Sequence, residues 1–154
     1  MKIRKYQIKD LINVSKLIQK TYAEFNNGEG NKKAVQRYLD AYSTENSNLE
    51  FLEESYSSTP IFLVAIENQQ LVGMIRGNKN KIFNLFVNGS QHKKGIGKKL
   101  VDLFEKEAIK QNSNEIRIKA SIYATLFYQK VGYKKTTGIR NFHGLQIQPM
   151  LKKF

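Results

Sequence analysis

The sequence predicts a mixed α/β protein of the α+β type, one central sheet flanked by helices, on three observations. The chain has 154 residues, 40% hydrophobic and 11% aromatic, enough for one packed core and too few for two sound ones. Up to about Tyr56 apolar residues recur at helical three- and four-residue spacing, whereas from Ile61 they fall in short strand-like runs. Taken in order, the elements read β α α β β β α β α β β, the order of a mixed fold with one sheet.

Met1 to Tyr6 alternates charged and apolar residues as a first strand does. Ile8, Leu11, Val14, Leu17, Ile18, Tyr22 and Phe25 then mark the apolar stripe of a helix. Asn26 to Asn31 breaks it with two glycines and three asparagines. A second helix carries Ala34, Val35, Tyr38, Leu39 and Tyr42; Leu49 to Tyr56 supplies another turn or two, and Pro60 closes the section. Ile61 to Ile66 and Leu71 to Ile75, joined by Glu67 to Gln70, read as a hairpin. A strand over Lys81 to Val87 leads through a glycine-containing loop to a helix with Ile96, Leu100, Leu103, Phe104 and Ala108 on one face. Glu115 to Ala120 is a further strand, Ile122 to Lys130 a short helix, and Gly132 to Thr136 with Leu145 to Leu151 the closing strands.

Composition narrows the chemistry. There is no cysteine, so disulfides, thiolate nucleophiles and zinc–sulfur or iron–sulfur sites are excluded. His92 and His143 are the two histidines, and no metal is expected. The longest apolar run, Ile61 to Ile66, is far short of the roughly 20 residues of a membrane span, and the N-terminus has no signal-peptide pattern; a cytoplasmic protein without membrane association is expected. Lys and Arg number 26 against 13 Asp and Glu, a net charge of +13, which biases the chain toward anionic partners.

Between the Lys81 to Val87 strand and the following helix stand Lys93, Lys94, Gly95, Ile96, Gly97, Lys98 and Lys99. The first N–H groups of a helix lack intrahelical partners and sit at the positive end of its dipole, so they suit a phosphate. Glycines at 95 and 97 let an anion approach the backbone, and the flanking lysines attract it. The residues alone fit a plain strand-to-helix turn as well. The spacing is neither that of a Walker loop nor that of a dinucleotide-binding fingerprint.

His92-Lys93-Lys94-Gly95-Ile96-Gly97 resembles the [QR]-x-x-G-x-[GA] pyrophosphate motif of GNAT superfamily N-acetyltransferases. Ser121 to Tyr133, with Ala124, Phe127, Tyr128 and Gly132, is similar to the family's later N-x-x-A-x-x-F-Y-x-x-x-G-F motif. His92 stands where the family has Gln or Arg, Asn88 where a proline often ends the strand, and Ser121 where Asn is commoner. The resemblance implies one N-acetyltransferase domain over 1–154 with a mostly antiparallel sheet of the acyl-CoA N-acyltransferase fold. It implies acetyl-CoA as co-substrate, lying between the Lys81 to Val87 and Glu115 to Ala120 strands. Backbone groups of Leu85, Phe86 and Val87 would hold the pantetheine arm, His92, Lys93, Lys94, Gly95, Ile96, Gly97 and Lys98 the pyrophosphate, with Ser121 beside them.

The reaction so implied is direct attack of an amine, of a small molecule or a protein, on the thioester. The match points to Tyr128 as the acid that protonates the departing thiolate, or else as an aromatic packed beneath the cofactor. No side chain stands out as base: Asn84 cannot titrate, and Glu24, Glu29 and Glu67 read as surface carboxylates, so water is an equal choice. The alternatives are an RNA-docking acetyltransferase acting on aminoacyl-tRNA and a non-catalytic acyl-CoA-binding protein. Nucleic acid is not favoured, since no recognition helix or RNA-binding motif is visible, and a homodimer is left open.

Overall fold

The structure, a computed structural model, describes residues 1–154 with the exception of the Asn46 side chain. Strand β1 (Lys2–Lys5) is followed by a 3-10 turn at Ile8–Asp10 and helix α1 (Leu11–Phe25). Ile8, expected on the apolar face, lies in that turn and is exposed. The helix begins later because the Asp10 carboxylate accepts from the Gln7 N–H at 2.8 Å and from the two terminal nitrogens of Arg4 at 2.7 and 2.8 Å.

Burial pushes the Asp10 carboxyl upward, but the bonds from Arg4 and Gln7 outweigh it and hold the net value below the ordinary carboxylate range. A pKa lowered by folding adds stability that is present above the unfolded value and lost as pH falls through the folded one. Asp10→Asn should therefore lower stability at pH 7 by about 2 kcal/mol, the worth of a charge-assisted hydrogen bond. The difference from wild type should shrink as pH falls below the ordinary carboxylate range and through the lowered folded value; urea unfolding at pH 7 and at a series of acid pH values measures both.

Helix α2 (Lys32–Ala41) opens on Asn31, whose side chain accepts from the Ala34 N–H at 2.8 Å and so satisfies one of the first-turn donors. Helix α3 (Asn46–Ser57) is longer than the turn or two expected. It buries Leu52 and Tyr56, whose hydroxyl meets Ser15 Oγ of α1 at 2.8 Å. Strands β2 (Ile61–Glu67) and β3 (Gln70–Asn78) form the expected hairpin, with Asn68 and Gln69 at φ 49° and 63°, the left-handed pair that matches strand twist in a two-residue turn. Strand β4 (Lys81–Val87) pairs with β3 through a bulge at Arg76/Gly77. A Cβ on Gly77 would lie 2.0 Å from the Lys81 carbonyl oxygen, so only glycine fits there.

Helix α4 (Ile96–Lys110) buries Ile96, Leu100, Val101, Phe104 and Ala108, while Leu103, expected on the same stripe, is 39% exposed. Strand β5 (Glu115–Ser121) and helix α5 (Thr125–Lys130) follow. The closing section is β6 (Lys134–Lys135), β7 (Arg140–Phe142) and β8 (Leu145–Lys153). Strand β7 was not foreseen; it forms a hairpin with β8 through His143 and Gly144, at φ 52° and 90°.

The strands form one sheet in the order β1-β2-β3-β4-β5-β8-β6, with β7 also on β8. One face packs on α4 and α5 around Leu100, Phe104, Ile116, Ile118 and Tyr133. The other packs on α1 and α3 around Val14, Ile18, Leu52, Phe62 and Met74. All strand pairs are antiparallel except β4 with β5, which is parallel and joins Lys81 to Arg117 and Ile82 to Ile118. Beyond Ile82 the two strands part, and the sheet has an opening at its centre.

Candidate active site

A cavity of about 880 Å³ fills this opening. Of the residues expected to bind cofactor or carry chemistry, Leu85, Phe86, Val87, His92, Lys93, Gly95, Ile96, Gly97, Lys98, Ser121 and Tyr128 all line it. Lys94 does not line it: its exposed ammonium lies 3.4 Å from Gln91 Oε1, because the turn through Lys93 (φ 63°) and Gly95 (φ 80°) directs it away.

The backbone of β4 sets which groups face the gap. The Asn88 N–H donates to Val72 O at 2.8 Å, and Phe86 stands opposite Met74. Because successive residues of a ladder point their N–H and C=O groups to opposite sides, those of Phe86 are spent on β3, while those of Leu85 and Val87 face the gap. Phe86 thus offers the cavity its side chain, a correction to the expectation that all three backbones would serve.

At the mouth, Gly95 begins α4, and the N–H groups of Ile96, Gly97 and Lys98 have no intrahelical acceptor. A Cβ on Gly97 would stand 3.2 Å from Cε2 and Cζ of Phe127 and 3.8 Å from Val87 Cγ2, so the glycine lets α4 approach α5 closely. His92 is not a bare surface residue. Its Nε2 lies 2.7 Å from the Val87 carbonyl oxygen, which can only accept, so Nε2 carries the proton. Nδ1 faces the Tyr123 hydroxyl at 3.4 Å, and Phe25 packs against both rings. His92 therefore pins the loop to β4 and occupies Val87 O, leaving the Val87 N–H and the Leu85 pair for a ligand. Ser121 Oγ accepts from the Ala124 N–H at 3.1 Å and shapes the turn into α5.

Tyr128 is 3% exposed. It packs edge-on to Phe127 and Tyr133, at 5.2 and 5.5 Å between ring centres. Among the described residues nothing hydrogen-bonds its hydroxyl, and burial raises its pKa well above 10. It is packed and cavity-lining at once.

The expected surface carboxylates separate. Glu29 is in the cavity wall, the one carboxylate there among the described residues. Its Oε1 accepts from the Tyr123 N–H at 2.6 Å and its Oε2 from Asn26 Nδ2, so it ties the α1–α2 connection to the β5–α5 turn. Glu24 and Glu67 lie outside the wall.

A family model described as an acetyltransferase (GNAT) domain matches residues 21–154. The chain belongs to the GNAT acetyltransferase family. No curated protein sequence matches it. Among solved structures, the GNAT chain is similar to a GCN5-related N-acetyltransferase from Rhodopseudomonas palustris, at TM-score 0.85 and 17% identity over 99% of this chain and 95% of that one. It is similar to the PaiA N-acetyltransferase of Thermoplasma acidophilum in complex with coenzyme A, at 0.75 and 23% over 99% and 98%. The aminoglycoside 6'-N-acetyltransferase from Enterococcus faecium matches at 0.72 and 21% over 99% and 97%. At these identities the likeness is one of fold.

The far wall of this GNAT cavity is aromatic and polar. Tyr22 stacks on Tyr38 at 3.9 Å between ring centres. Asn84 accepts from Arg76 Nε at 2.6 Å and donates to the Tyr38 and Tyr42 hydroxyls at 3.2 Å. Burial, with Glu29 nearby, pushes the Tyr22 phenol up to about 12, and burial with Tyr42 and Tyr22 raises Tyr38 as well, so both stay neutral at ordinary pH. Among the described residues no group of three His, Asp or Glu could hold a metal, and no helix is long and apolar enough to cross a membrane.

Phe25, Tyr123, Lys81, Lys119 and Phe142 also line the cavity and are not among the residues expected there. Phe25 ends the α1 stripe just before the break and Tyr123 sits inside the second motif, so both carried a signal. Lys81, Lys119 and Phe142 come together only through the sheet.

Proposed function

We propose that the chain is an acetyl-CoA-dependent N-acetyltransferase that acetylates a primary amine of a small molecule or protein by direct attack on the thioester. The observation that carries this reading is the parted β4–β5 pair, which leaves the Leu85 N–H and C=O and the Val87 N–H unpaired along a cavity that ends on the free N–H groups of α4. That combination suits an extended chain with amides and a pyrophosphate at one end.

In this reading Leu85 and the Val87 N–H hold the pantetheine arm, and Ile96, Gly97 and Lys98 bind the pyrophosphate with Lys93. The amine attacks the thioester carbon from the Tyr22, Tyr38 and Asn84 side, the carbon–sulfur bond breaks, and Tyr128 supplies the proton that converts the thiolate to thiol. The amine loses its proton to water, since Glu29 has both oxygens engaged and Tyr22 and Tyr38 stay protonated.

Thiol release from acetyl-CoA across a panel of amines tests the reading. Acetyl-CoA should also raise the melting temperature, because at about 100 times its Kd a ligand adds about 2.7 kcal/mol to native-state stability. Neutralising Lys93 and Lys98 to Gln should weaken CoA binding most at low salt, because the lost attraction is screened by salt. Lys94→Gln should leave it unchanged; calorimetry at two salt concentrations reads both.

A further inference from the structure

Apart from Lys130, at the end of α5, the lysines of the cavity wall fall into two sets. Lys93 and Lys98 stand at the α4 loop, beyond the C-terminal end of β4, whereas Lys81 begins that strand. From Lys81 to Val87 an extended strand covers about 20 Å. Lys119 lies on the neighbouring β5, between Ile118 and Ala120, which are buried against α4 and α5. Alternation therefore turns Lys119 to the opposite face of the sheet, where the amine would enter.

Neither Lys81 nor Lys119 makes an ion pair among the described residues. Glu115, on the same strand as Lys119, is taken by Arg117 at 3.1 Å, and Glu29 has both oxygens occupied. The Lys119 ammonium sits 3.8 Å above the Phe142 ring centre, a cation–π contact that fixes its position. Burial and then the nearby Lys81 charge lower the Lys119 pKa, so the two cations are held together against their own repulsion.

We propose that the acceptor amine carries an anionic group, a carboxylate or a phosphate, and that Lys81 and Lys119 hold that group at the closed end of the opening while the amine points toward the thioester. This inference rests on the N-acetyltransferase reading and names its substrate class. An anion there relieves the repulsion between the lysines and gains charge-assisted hydrogen bonds. A polycationic amine would meet two like charges instead.

The experiment measures thiol release from acetyl-CoA with matched probes: an α-amino acid against its amide, O-phosphoethanolamine against ethanolamine, and spermidine as a polycation. Wild type should favour a charged member over its neutral partner by roughly ten-fold or more in kcat/KM, and the two pairs distinguish carboxylate from phosphate. In the double variant Lys81→Gln/Lys119→Gln the preference should disappear through KM with kcat little changed. In Lys81→Glu/Lys119→Glu it should reverse toward spermidine. Acetyl-CoA affinity by calorimetry should match wild type in both variants, and the melting temperature of the Gln variant without ligand should not fall below that of wild type.

Preference for neutral or cationic amines in wild type overturns the inference, as does a preference that survives in the Gln variant. Loss of acetyl-CoA affinity in that variant also overturns it, by assigning the lysines to the cofactor. If acetyl-CoA binds and is turned over only with uncharged amines, the inference fails and the N-acetyltransferase reading stands. If no amine releases thiol, both fail.

Discussion

Tyr128→Phe lowers turnover by roughly 10²–10⁴-fold, the usual contribution of a positioned acid, and leaves acetyl-CoA affinity unchanged. The substitution removes one hydroxyl and keeps the ring between Phe127 and Tyr133, so packing alone predicts almost no loss. Because burial raises the phenol's pKa, the acid stays protonated through the range in which the amine deprotonates. The rate should therefore rise with pH as free amine accumulates and show no fall from Tyr128 below pH 10. Steady-state kinetics from pH 6 to 10 check this, with a pre-steady-state phase to show that chemistry and not product release limits the rate. Loss of affinity at unchanged turnover would assign the hydroxyl to binding.

Gly97→Glu abolishes the melting-temperature shift produced by acetyl-CoA. Two effects act together: the Cβ presses on Phe127 at 3.2 Å, and a carboxylate arrives where free N–H groups and lysines favour an anion. Gly97→Ala separates them, since it keeps the steric contact without the charge. The alanine variant should retain a reduced shift, because the Phe127 ring can give by a few tenths of an ångström, whereas the glutamate variant should show none. Equal losses in the two variants would mean that the close approach of α4 to α5 matters more than charge.

The parts of the site that lie along one stretch of chain were legible in the sequence. Strand β4 begins and ends where expected because its apolar residues are bounded by polar ones, and Gly95 and Gly97 mark the turn that opens α4. Strand β7 was hidden because Arg140, Asn141 and Phe142 are all exposed and so carry no alternation; its existence depends on β8 and on the turn at Gly144. Ile8 and Leu103 fit helical stripes, yet no element covers them, and a periodic pattern does not say where the covering layer stops. His92 could be placed in a motif but not bonded, since its partner is a carbonyl that only the folded loop brings near. Lys81 and Lys119 look like ordinary solvated lysines until the sheet sets them side by side with no acid between.

The parting of β4 from β5 also divides the sheet into two blocks, β1 to β4 and β5 to β8, which share backbone hydrogen bonding only near Lys81–Arg117 and Ile82–Ile118. Local opening follows such seams, so amide hydrogens of the two blocks should exchange with solvent at different free energies. A molecule threaded along the gap would bond to Leu85 and Val87 on one side and fill the space against β5 on the other, acting as a missing strand. Protection of the amides along both edges should then rise together and approach that of the global unfolding reaction, so that occupancy of the site is recorded as cooperativity of the whole protein.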